Sequence, residues 1–116
     1  MPKYVALVYA AESGAPAPNS PEMGKIYQAY GAFTQDAQQA GIMKGGEGLL
    51  PTSTATTVRV REGKISSSNG PFAETNEQLG GLFMFECKDM DEAMKWAAKI
   101  PDAVRGSVEL RPVIEM

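Results

Sequence analysis

Two rhythms of apolar residues run along the chain. Between Ser20 and Gly41, Met23, Ile26, Tyr27, Tyr30, Phe33, Ala37 and Ala40 recur at three- and four-residue spacing, the stripe of an amphipathic helix. Ser20-Pro21-Glu22 supplies its start: a serine to accept from orphan N–H groups, a proline suited to the first turn and a glutamate that suits the dipole. Gly41 is a natural residue to end it. A second stripe, Met90, Ala93, Met94, Ala97 and Ile100, follows Asp89, whose spacing to Glu92 makes an aspartate version of the capping box, and Pro101 stops it.

Elsewhere the rhythm is that of strands. Lys3 to Ala10 and Gly81 to Cys87 are short, dense apolar runs, predicted to be strands buried on both faces. Ser107 to Val113 is a last strand, with Pro112 favouring a sheet edge or strand end. Thr56 to Arg61 alternates β-branched and basic residues, Glu62-Gly63 is a turn, and Lys64-Ile65-Ser66 begins a return strand, which together predict a hairpin. Ile42 to Pro51, with Gly45, Gly46 and Gly48, reads as a short strand opening into a loop, and Glu12 to Asn19 reads as a loop.

The resulting order is β-α-β, an inserted hairpin, then β-α-β. Two such halves predict an α+β fold, the split β-α-β or ferredoxin-like plait, with helices on one face of an antiparallel sheet. The strands at Lys3 to Ala10 and Leu82 to Phe85 are too apolar to leave the other face in water. That face is expected either to pack on a second copy in a homodimer or to enclose a pocket. A length of 116 residues suits one domain over residues 1–116.

Composition narrows the chemistry. A net charge of -3 gives no electrostatic reason to hold nucleic acid. The chain has no histidine and a single cysteine, Cys87, which removes Ser-His-Asp and Cys-His catalysis and the usual zinc or iron–sulfur ligand sets. No metal or cofactor is expected. Met23, Met43, Met84, Met90 and Met94 fall at core spacings, and Cys87 is expected to be an inert core thiol. The start of the chain is too short for a signal peptide, and no apolar run approaches a membrane span, so the expected location is cytoplasmic, with no membrane partner.

The most informative stretch is Asn69-Gly70-Pro71-Phe72-Ala73-Glu74-Thr75. It reads either as a turn followed by a helical start, or as a pocket rim. In the second reading Asn69 donates and accepts hydrogen bonds, Phe72 walls an apolar pocket and Glu74 serves as acid or base. This stretch, continuing through Asn76-Glu77-Gln78-Leu79-Gly80-Gly81, occurs with Gly46-Glu47-Gly48-Leu49, Thr54-Ala55-Thr56-Thr57-Val58-Arg59 and Val108-Glu109-Leu110-Arg111-Pro112-Val113. In this order the four blocks resemble the DGPF-type proteins of the YCII-related family, from Tyr4 to Met116. The resemblance implies a bacterial protein forming a dimeric α+β barrel of ferredoxin-like subunits. It also implies a link to extracytoplasmic-function sigma-factor signalling, and kinship with muconolactone-isomerase-like enzymes. Two departures stand out. Asn69 replaces the motif aspartate and cannot take a proton, and the His–Asp pair attributed to related enzymes has no histidine here.

Four further candidates come from the residues themselves. Glu47, in a glycine run, is either a loop residue or a carboxylate delivered to a pocket. Arg59 shares a strand face with Arg61, and is either solvated or a clamp for a carboxylate beside Asn69 and Tyr30. Arg111 carries the same two readings. Tyr30 lies on the inner helix stripe, as a core residue or a pocket residue. Two function classes follow: a small-molecule-binding or regulatory protein whose ligand is a small organic acid, or a cofactor-free isomerase or dehydratase with Glu74 or Glu47 as base. A third is a dimeric interaction protein with no small-molecule site.

Overall fold

The computed structural model describes residues 1–116. Strand β1 (Lys3–Ala10) leads through a loop to helix α1 (Pro21–Gln39) and strand β2 (Met43–Gly48). A hairpin follows, β3 (Thr56–Arg61) and β4 (Lys64–Asn69), and then β5 (Gln78–Glu86), helix α2 (Met90–Ala97) and β6 (Ser107–Pro112). Four strands form one sheet in the order β2-β5-β1-β6, and β3-β4 stand apart as a second, two-stranded sheet. Every neighbouring pair is antiparallel. With the hairpin set aside this is the ferredoxin-like α+β arrangement that the element order predicts.

The local chemistry places the boundaries. Ser20 Oγ accepts from the Met23 N–H at 3.2 Å, with Pro21 in the first turn of α1. At the other end Gly41 adopts φ 77°. The Ile42 N–H donates to Ala37 O at 3.2 Å and the Gly41 N–H to Gln38 O at 3.0 Å, the paired bonds of a Schellman end. Asp89 Oδ1 accepts from the Glu92 N–H at 2.9 Å, and Glu92 Oε1 accepts from the Lys88 N–H at 2.9 Å, so the capping box reaches back one residue beyond the cap itself. In the hairpin both Glu62 (φ 53°) and Gly63 (φ 75°) have positive φ, the turn geometry that matches strand twist.

The core lies between the sheet and the two helices. Tyr4, Ala6 and Val8 of β1 and Phe85 of β5 meet Phe33 and Ala37 of α1 and Ala93 and Ala97 of α2, with Ile100 beyond them. Phe33 is the hub, with ring centroids 5.3 Å from Phe83, 6.3 Å from Phe85 and 6.5 Å from Trp96. Gly46 keeps this cluster possible, because a Cβ there would lie 2.6 Å from Phe83 Cδ1.

Three expectations need correction. In the single chain β1 is fully buried on one face only: Tyr4, Ala6 and Val8 are buried while Val5 and Leu7 are half-buried, because both helices cover the same side. Strand β5 begins at Gln78, three residues before the apolar run, since pairing with Tyr9 and Ala10 continues through an irregularity in register. After Asn69 no helical turn forms: Gly70 (φ 98°) redirects the chain and Pro71 to Thr75 follow without regular structure.

The turn into β6 depends on a missing side chain. A Cβ on Gly106 would overlap the Tyr9 carbonyl oxygen and crowd the Ala10 Cα, both backbone atoms that cannot rotate away. Gly106→Ala should therefore destabilise the fold by about 3 kcal/mol. Chemical denaturation followed by circular dichroism reads this directly, and a variant as stable as the parent contradicts it.

Candidate functional site

Strand register sorts the sheet's side chains into two faces. On the face away from the helices Glu47, Leu82, Leu7 and Glu109 form one cross-strand row, because Glu47 pairs with Leu82, Leu82 with Leu7 and Leu7 with Glu109. The next row holds Met84, Val5 and Arg111, and beyond it Lys3 pairs with Glu86. Leu7, Leu82, Val5 and Met84 are half-buried with no element of the chain over them, whereas Glu47, Glu109 and Arg111 are exposed. Arg111 Nη1 lies 3.5 Å from Glu109 Oε2. The open face is thus an apolar floor with carboxylates on both margins and a guanidinium on one.

One end of this floor is stapled by polar contacts. The Glu12 carboxylate accepts from the Thr52 N–H (2.9 Å) and Oγ1 (2.7 Å), while the Glu12 N–H donates to Gln78 Oε1 at 2.8 Å. Ser107 Oγ donates to Glu77 Oε1 at 2.9 Å. The Glu12 bonds hold the segment after β2 against the start of β5, and the Ser107 bond ties the start of β6 to the same place. A shallow cleft of about 260 Å³ opens there, lined mainly by Leu49, Leu50, Pro51, Ala55 and Leu79. A second groove of about 330 Å³ runs along α2 among Lys88, Asp91, Glu92, Lys95 and Lys99. Its acidic members sit at the N-terminal end of the helix, and Lys95 and Lys99 lie toward the other, the arrangement that capping and dipole favour.

The sequence candidates do not converge. Glu47 is on the open face, opposite Leu82. Asn69 pairs with Thr56 and Arg59 with Ser66, which places them on opposite faces of the hairpin. Phe72 (80% exposed) and the exposed Glu74 lie in the irregular stretch that follows. Tyr30 is on the helix side of the sheet, where its hydroxyl donates to Asp102 Oδ2 at 2.6 Å, and Asp102 Oδ1 accepts from Arg105 Nε at 2.5 Å. Burial, then the Asp102 contact, holds the Tyr30 phenol well above its ordinary range. Tyr30 thereby ties α1 to the turn before β6.

Sequence reasoning missed Glu109, Glu12 and Asp102. Their partners lie 40 to 72 residues away for Glu12 and Tyr30, which only the folded topology brings together. The alternation Glu109-Leu110-Arg111 was the available signal, since period-two spacing puts both charges on one face.

The fold and site define an α+β sheet protein with one open, charge-rimmed apolar face. The chain matches the family model for the YCII-related domain over residues 2–116, and it belongs to that family. It is 34% identical over 112 residues to Uncharacterized protein R00369 of Rhizobium meliloti (strain 1021), an alignment covering 95% of this chain and 90% of the relative. No helix is long and apolar enough to cross a membrane.

Cys87 is fully buried, and burial, with the Glu92 carboxylate beside it, pushes its thiol up from 9.0 to about 11. Below pH 9 the thiol is protonated in folded and unfolded chains alike. As pH rises from about 9 to about 11 the unfolded chain loses this proton first, so Cys87 opposes folding increasingly across that window. The stability advantage of the parent over Cys87→Ala should shrink over the same interval in denaturation curves. A gap independent of pH contradicts the assignment.

Proposed function

We propose that the protein is a homodimeric small-molecule-binding or regulatory protein whose ligand is a small organic acid, held at the open sheet face. The observation that supports this reading is the face itself: Leu7, Leu82, Val5 and Met84 as floor, with Arg111 beside Val5. A second copy over that floor excludes water, and a guanidinium at its margin recognises a carboxylate through paired donors. Arg111 takes the clamp role in this reading because it shares the floor, whereas Arg59 lies on the hairpin. Asn69 cannot move a proton, and Glu74 is exposed on an irregular segment, so binding is placed ahead of catalysis.

One observation favours the isomerase or dehydratase alternative. Glu47 stands on the same face, across from Leu82, where a covered carboxylate can act as a base. The two readings separate experimentally. Calorimetric titration with a panel of small aliphatic and aromatic carboxylic acids should find at least one that binds, and Arg111→Gln should weaken it tenfold or more. Binding that survives this change, or no binding across the panel, overturns the reading. Turnover of any bound acid that is lost in Glu47→Gln, with binding retained, selects the enzyme.

A further inference from the structure

The β3–β4 hairpin is the least supported part of the molecule. Among its strand residues only Thr57 is as much as half-buried. It packs substantially on no other helix or strand. Two hydrogen bonds close its base, from Gly70 N–H to Ala55 O at 2.7 Å and from Thr57 Oγ1 to Gly70 O at 2.8 Å. A lone two-stranded hairpin is marginally stable in water. This one is also sorted by face. Val58 pairs with Ser67 and Val60 with Ile65, while Arg59 pairs with Ser66 and Arg61 with Lys64. One face is therefore Val58, Val60 and Ile65, exposed by 62%, 56% and 79%. The other is Arg59, Arg61 and Lys64.

We propose that this hairpin is an intersubunit arm, whose Val58, Val60 and Ile65 face packs on the body of a second copy of this chain. The proposal rests on the homodimer reading above and extends it from the sheet to the arm. Charge selects the occupant. Residues 56–69 carry Arg59, Arg61 and Lys64 against Glu62, a net +2, in a chain of net charge -3, which leaves -5 on the rest. Two arms repel each other, while an arm and the body of another copy attract. Shape agrees with this choice. The chain measures 46 × 43 × 19 Å with a radius of gyration of 16.0 Å, against about 13 Å for a compact chain of this length. Laying the arm on a second body restores the missing compactness and covers the valine–isoleucine face.

The test places the photo-crosslinking residue benzoylphenylalanine at position 65 of the full chain, with native mass measured on the same sample. The expected result is a covalent dimer in denaturing gels, with crosslinked peptides joining position 65 to residues 1–55 or 70–116 of the other copy. Crosslinks only within one chain, in a sample that weighs as a dimer, overturn the arm and leave the homodimer standing. Crosslinks from arm to arm also overturn it. A monomeric native mass removes the homodimer reading and the arm together. As a second readout, Val60→Asp with Ile65→Asp changes two exposed positions without touching the core. It should raise the dimer dissociation constant at least tenfold with an unchanged circular dichroism spectrum. An unchanged constant counts against the arm.

Discussion

A sheet has two faces, and this chain supplies cover for only one. Both helices pack on the side of Tyr4, Ala6, Val8 and Phe85, where the core forms around Phe33. Leu7, Leu82, Val5 and Met84 point the other way. At about 25 cal/mol for each Å² of apolar surface removed from water, burying such a floor is a substantial driving force, and nothing within the chain satisfies it. The other features of the molecule follow from this asymmetry. The open floor is the seat proposed for an organic acid, the edge strands bring Glu47, Glu109 and Arg111 to its margins, and the uncovered hairpin leaves a second apolar face exposed beyond the sheet.

Much of the fold was legible in the sequence because its signals are local. The serine before Pro21, the glycine after α1, the aspartate before α2 and the Glu62-Gly63 turn each act within a few residues, and each does in the structure what its chemistry predicts. The stripe containing Phe33 and Ala37 likewise finds the core. The stretch after Asn69 misled for a related reason: Gly70, Pro71 and Thr75 have turn chemistry, but a positive φ at Gly70 sends the chain onward without a helix.

The site was less legible because its neighbours are set by strand order. That Glu47 and Glu109 end one row depends on β5 and β1 lying between β2 and β6, a fact no local window contains. Arg59 and Asn69 look adjacent in the motif blocks but fall on opposite hairpin faces once the register is fixed. Tyr30 was legible as an inner-stripe residue, yet its partner Asp102 follows 72 residues later, and that bond makes it a tie between elements. Of the seven candidates the sequence offers, only Glu47 and Arg111 lie on the open sheet face.

The most direct measurement of whether the open face is a covered face is sedimentation equilibrium of the parent chain and of Leu7→Asp, which puts a charge in the middle of the floor and outside the helix-side core. A covered face should give a parent mass near twice 12.4 kDa at micromolar concentration and a folded monomer for Leu7→Asp. A parent that sediments as a single chain over the whole accessible concentration range, or a Leu7→Asp dimer as tight as the parent's, contradicts it.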